Sequence, residues 1–217
     1  MENFKFVTSY SGGKDSVLSL YRMINKGYKP AGILVTFDKD NTSWFHKVPK
    51  ELFIKTSKEL NIPLIEVECF DGNNYSKKFS EELKKLKEKE DINLCVFGDI
   101  DIENHRKWCL DVCREAGMKA EFPLWNENRE KLTKEFLEAG FSTVIKKVNL
   151  DLLNQSFLGL KLDFDVIKEL KKTGCDVSGE NGEYHTFVYD GPIFNNKIEF
   201  NIINKQIYDN YGYLIIK

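Results

Sequence analysis

Short apolar runs alternate with helix-periodic stretches through the first half of the chain. Phe4–Ser9 predicts a strand, and Lys14–Lys26 predicts a helix stopped by Gly27 and Pro30. Ala31–Phe37 is almost continuously apolar, the pattern of a strand covered on both faces. A helix over Lys50–Leu60 leads to a strand at Ile62–Val67, with Pro63 tolerated near its start. Ser76–Glu90 puts Phe79, Leu83 and Leu86 on one face and leaves its many Lys and Glu to water. Asn93–Phe97 then predicts a strand, Asn104–Ala116 a helix closed by Gly117, and Met118–Phe122 a further strand. Alternation of this kind predicts an α/β fold built on a doubly wound parallel sheet.

The pattern changes after Pro123. A helix is expected over Arg129–Ala139, a strand over Phe141–Val148 and a short helix over Phe164–Lys172. Glu183–Tyr189, Lys197–Ile203 and Gln206–Ile216 predict antiparallel strands and turns. The expectation is a larger domain at 1–124 and a smaller C-terminal α+β domain at 125–217. No internal repeat or low-complexity linker separates them, so the two should pack tightly.

Composition narrows the class. A chain of 217 residues with 41% hydrophobic and 30% charged residues buries enough surface to fold without disulfides or structural metals. The formal charge of −2 gives no basic footprint for nucleic acid. No apolar run approaches a membrane span and no signal-like segment opens the chain, so the expected location is the cytoplasm. The five cysteines are scattered; Cys109 and Cys113 share one helical face with Trp108, Val112 and Ala116. Small buried hydrophobes explain them best, with a metal or sulfur-relay role left open.

The chemistry concentrates in S-G-G-K-D-S, Ser11–Ser16, which falls between the first strand and the first helix. In a doubly wound sheet that turn lies at a strand's carboxyl end, where ligands bind. Gly12 and Gly13 let the backbone bend and approach a ligand closely. The helix behind offers free N–H groups to an anion, while Lys14, Ser11 and Ser16 add a charge and hydroxyls. A Walker-type loop would need Gly at position 8 and Ser or Thr at position 15, where the chain has Thr8 and Asp15. A dinucleotide fingerprint is also absent. What remains is a phosphate site of another kind.

S-G-G-K-D-S resembles the pyrophosphate loop of the ATP-pyrophosphatase group, which has a Rossmann-like fold of the nucleotide alpha-hydrolase type. Further stretches carry a closer resemblance: Ser43-Trp44-Phe45-His46, Gly98-Asp99-Ile100 with Arg106 behind it, Pro123-Leu124-Trp125, Phe157-Leu158-Gly159, and Gly179-Glu180-Asn181-Gly182-Glu183-Tyr184-His185-Thr186 followed by Asp190-Gly191-Pro192. Together they resemble the diphthine–ammonia ligase family. The resemblance implies ATP- and ammonia-dependent conversion of a carboxylate to an amide, with AMP and pyrophosphate as products. In archaea and eukaryotes that carboxylate belongs to diphthine on elongation factor 2. A different small-molecule or protein acceptor, or a non-catalytic adenine-nucleotide sensor, are the alternative readings. His185 and Asn104 stand where the resemblance usually has an acid and a tyrosine, which bears on how a quaternary ammonium would be met.

Roles follow from this reading. Ser11, Gly12, Gly13, Lys14, Asp15 and Ser16 are expected to hold the nucleotide's phosphates, and Lys14 is expected to be an exposed side chain. Thr36 and Phe37 are expected to read the adenine through backbone groups, with plain core an equal role for Phe37. Gly98 and Asp99 complete the nucleotide site, and Asp15 and Asp99 are the expected Mg2+ ligands. His46, Arg106, Glu180, Asn181 and Glu183 are expected to bind the acceptor or ammonia, and Arg106 would pair with its carboxylate. Glu183 and His185 join Lys14 as catalytic candidates, His185 as the acceptor of ammonium's proton. A zinc site from His46, His105 and His185 fits no recognised spacing. The expected partners are ATP, ammonia and the carboxylate, without nucleic acid or membrane, and a homo-oligomer is left open.

Overall fold

The computed structural model describes residues 5–217; Phe4, where the first strand was expected to begin, lies outside them. Five parallel strands, β1 (Lys5–Ser9), β2 (Lys29–Phe37), β3 (Leu64–Glu68), β4 (Leu94–Val96) and β5 (Lys119–Glu121), lie in the order β3-β2-β1-β4-β5. Four helices cross over between them: α1 (Lys14–Asn25), α2 (Lys50–Leu60), α3 (Tyr75–Glu90) and α4 (Glu103–Ala116). Alternation along the strands decides which helix covers which face. Phe6, Ile33, Val35 and Val96 pack in one core with α1 and α2. Val7, Leu34, Cys95 and Phe97 pack in the other with α3 and α4. Each such side chain, fully buried, contributes roughly 1.5–3 kcal/mol. The fold is the expected doubly wound α/β sheet.

The C-terminal part adds α5 (Arg129–Glu138), α6 (Phe164–Thr173) and an antiparallel sheet. Its strands β6 (Ser142–Asn149), β7 (Tyr184–Asp190), β8 (Ile202–Tyr208) and β9 (Tyr211–Ile216) run in the order β7-β6-β9-β8. Phe141, Val144, Ile145 and Phe187 belong to the same core as α1 and α2, so one apolar interior joins both sheets. Arg22 of α1 clamps the junction from outside, donating to the Pro123 carbonyl, Glu127 and Glu135. Among the described residues no helix is long and apolar enough to cross a membrane.

Two stretches differ from the sequence pattern. β2 begins at Lys29, through Pro30, because a register shift between Phe6 and Val7 leaves Ala31 as an extra residue. Such a bulge absorbs the hydrogen bond that proline cannot make. In the tail, Lys197–Ile203 does not form the expected strand; β8 starts at Ile202, and Ile198 is instead tied back to the Tyr189 carbonyl. Every residue of β8 is exposed, so no buried face marks its register in the sequence.

Candidate active site

Strand order reverses between β1 and β4, which opens a crevice at their carboxyl ends. The loops after these two strands meet there. A Cβ on Gly98 would lie 2.8 Å from the Ser16 nitrogen and 2.9 Å from the Asp15 carbonyl carbon, so only glycine permits the contact. Gly12 takes a left-handed φ of +77°, and a Cβ on Gly13 would sit 2.6 Å from Cε1 of His46. Within the loop, the Gly13 N–H donates to Ser11 Oγ at 3.2 Å and Ser16 Oγ donates to the Gly13 carbonyl at 2.9 Å.

Strand β7 of the second sheet closes the loop from the far side. Its Val188 N–H donates to the Gly12 carbonyl at 2.8 Å. The Lys14 N–H, at the start of α1, donates to Thr186 Oγ1 at 3.0 Å. Thr186 thereby satisfies one of the helix's unpaired donors from another sheet. Its carbonyl lies 2.9 Å from Nδ1 of His46. Since a carbonyl only accepts, Nδ1 carries the hydrogen and Nε2 keeps its lone pair.

Between these elements lies a cavity of about 750 Å³. Lys14 and Asp15 line its floor, 2.6 Å apart as an ion pair. Lys14 is only 4% exposed, which corrects the expectation of an exposed side chain. Burial works against its charge, but Asp15, Tyr184 and Glu180 outweigh that and raise its pKa above the ordinary lysine value. Asp99 and Glu180 line the cavity too. Burial raises the Asp99 carboxyl, and burial with the nearby Asp15 charge pushes Glu180 up to about 8.

One wall is aromatic. Phe45, Tyr75, Phe97 and Trp108 all line the cavity. Tyr75 lies 5.8 Å from Phe45 and 5.5 Å from Trp108, and Trp108 is fixed by a 2.8 Å bond from its Nε1 to Ser76. His46 and His185 also line the cavity, with ring centroids 4.7 Å apart. Burial is the first cause that keeps both neutral, holding His46 at about 4 and His185 well below the usual imidazole range. The cavity therefore offers a lysine on a glycine-rich floor, an apolar wall of inclined aromatic rings and two neutral imidazoles.

Family models for the diphthamide synthase N-terminal and C-terminal domains match residues 4–120 and 128–217. The chain belongs to the diphthamide synthase family. The diphthine–ammonia ligases of Bos taurus and Homo sapiens are each 30% identical to it over 212 residues, covering 87% of this chain and 79% of theirs. The U34-tRNA thiolase NcsA from Methanococcus maripaludis is a structural neighbour at a TM-score of 0.41 and 15% identity, covering 64% of this chain and 58% of that one. Membership in a family of named ligases makes the protein an enzyme of the ligase class.

The residues expected at the site do not all meet at the cavity. Ser11, Gly13, Lys14, Asp15, Ser16, Gly98, Asp99, His46, Glu180, Asn181 and His185 line it. Thr36 lines a smaller adjoining space of about 60 Å³ instead. Phe37 is core, 1% exposed and edge-on to Phe53 at 5.6 Å. The Thr36 and Phe37 carbonyls are already taken by Trp44 and Cys69 N–H groups, so they are not open for adenine. Arg106 does not line the cavity; its guanidinium lies over the Trp125 ring at 4.7 Å. The structure thus places Arg106 beside Phe122 and Trp125, not among the cavity's lining residues as the sequence led one to expect.

Glu183 is also turned away from chemistry. It is 3% exposed and accepts the Asp176 and Asn181 N–H groups at 3.0 Å each, with the Asn181 side chain at 3.3 Å. These bonds tie the 176–183 loop together. Arg129 braces the same loop: it bonds Asp101 at 2.6 and 2.7 Å and Asp176 at 2.6 Å. The sequence singled out neither Arg129, Tyr75 nor Thr186 as a site residue, because their partners lie 28 to 172 residues away. Glu183→Leu removes the shared acceptor of two part-buried N–H donors, at about 0.5–1.5 kcal/mol each. Limited proteolysis is expected to cut that variant within 176–183 while the parent protein resists; equal resistance would contradict the bracing role.

Among the described residues no cluster of three or more His, Cys, Asp or Glu side chains is placed to hold a metal. Mg2+ needs only one or two carboxylates when phosphates supply the rest, and Asp15 and Asp99 in one cavity fit that donor set.

Proposed function

We propose that the protein is an AMP-forming amide ligase: ATP adenylates a carboxylate, and ammonia displaces AMP. One observation carries this reading. The glycine-rich cationic loop, an aromatic wall and the Glu180–His185 segment all border a single cavity. The loop suits the β- and γ-phosphates, with Lys14, the α1 N–H groups and Ser11 facing them. The adenine would stack against Tyr75, Phe45 and Trp108, in place of the expected backbone contacts at Thr36 and Phe37. Bound Mg2+ would be held by Asp15 and Asp99 and would neutralise charge on the leaving pyrophosphate. Glu180 and Asn181 sit on the side left for the acceptor. Fixing both reactants in one place supplies most of the acceleration.

The relatives are named for diphthine, and a carboxylate of that kind is the acceptor proposed here, on elongation factor 2. The products test the chemistry. With ATP, ammonia and diphthine-bearing elongation factor 2, chromatography is expected to show AMP and pyrophosphate together with amide on the protein. ADP as the main nucleotide product would overturn the reading. AMP formed only with some other carboxylate would reassign the acceptor and leave the ATP chemistry in place.

A further inference from the structure

We propose that the stacked imidazoles of His46 and His185 form the ammonia site, binding neutral NH3 and leaving ammonium out. The inference rests on the ligase reading above and adds where, and in which protonation state, the nitrogen enters.

The geometry starts from the Thr186 carbonyl, which fixes the hydrogen on Nδ1 of His46 and leaves Nε2 as an acceptor. His185 lies against that ring at 4.7 Å, and both side chains line the cavity that holds the phosphate loop. An imidazole lone pair can hold an N–H donor, which ammonia supplies. A cation is disfavoured, because positive groups face the pair from two elements: Lys14 at the start of α1, and Lys146 and Lys147 on β6. Lys147 is the register partner of His185, and a bulge between Ile145 and Lys147 inserts Lys146 beside it. Lys146 is fully buried with no hydrogen-bond partner for its amine, and burial brings its pKa down to about 8, so it is charged below that pH. Glu180 also lines the cavity, and the charges that act on it are those of Asp15, Lys14, Asp99 and Arg129.

This assignment changes the role expected of His185. Burial and its cationic neighbours hold its pKa well below the usual value, so it is a poor base toward free ammonium. It is base enough for the far more acidic nitrogen of the addition step. The ammonia lone pair forms the C–N bond, the C–O bond to AMP breaks with its electron pair, and one proton passes to an imidazole nitrogen. Acyl-adenylate and NH3 thus give amide, AMP and one proton.

The test separates the two half-reactions. Pyrophosphate–ATP isotope exchange, run with the diphthine-bearing acceptor and without ammonia, reads adenylation alone. His185→Leu is expected to keep that exchange and to raise the KM for ammonia about tenfold or more, while His185→Gln, which retains an acceptor, recovers most of the loss. In the parent enzyme kcat/KM for total ammonia should climb about tenfold per pH unit between pH 6 and 8, tracking the NH3 fraction. An unchanged ammonia KM in His185→Leu, or a kcat/KM flat across that range, would overturn the site and leave the ligase reading standing. Absence of exchange in the parent enzyme with this and every other carboxylate tried would overturn the ligase reading, and the site with it.

Discussion

Lys14→Met is expected to lower AMP-forming turnover by about a hundredfold or more without unfolding the protein. The ammonium sits on the floor of the cavity, 4% exposed, where an electrostatic contact to phosphate is little weakened by water. Removing one such donor from a charge-stabilising site typically costs about two to three orders of magnitude in rate. The fold should tolerate the change because methionine keeps most of the volume. Asp15, the partner left behind, is 23% exposed and can be hydrated. Product assays with matched melting curves check this. A turnover within about twofold of the parent would mean that the loop does not hold the phosphates.

Gly98→Ala should be nearly as damaging by another route. The new methyl would press on backbone, at 2.8 Å from the Ser16 nitrogen and 2.9 Å from the Asp15 carbonyl carbon, and backbone cannot rotate away as a side chain can. Overpacking of this kind costs about 1–3 kcal/mol. For a chain of this size that lowers Tm by roughly 2–10 °C. Because the strain is relieved only by moving the first turn of α1, ATP affinity should fall more than tenfold as well. Calorimetry of folding and of ATP binding measures both, and an unaltered Tm with unaltered affinity would refute the close contact between these loops.

The parts legible in the sequence are those set by local rules. Strand–helix alternation announced the parallel sheet because each strand between two helical layers must be apolar on both faces. The phosphate loop was legible because Gly12 and Gly13 serve a turn and a close approach that few other residues permit. What stayed hidden depends on contacts distant in sequence. Glu183 looked catalytic in its glycine-rich block, yet its two oxygens are taken by Asp176 and Asn181 N–H groups. Arg106 lies on α4 near His105 and Trp108, but its place on the helix turns it toward Phe122 and Trp125. Thr186 closed the Gly179–Thr186 stretch without an assigned role, and only the packing of β7 against the loop makes it the acceptor for the Lys14 N–H. The tail strands were misplaced because an exposed edge strand has no buried face to impose a period.

The central claim is that the acceptor carboxylate attacks the α-phosphate within this one cavity. Heavy-oxygen labelling of that carboxylate tests it most directly. If the oxygen bonds to the α-phosphate and leaves when ammonia enters, mass spectrometry will find one labelled oxygen in AMP and none in pyrophosphate. Label in inorganic phosphate, with ADP as the nucleotide, would contradict the account.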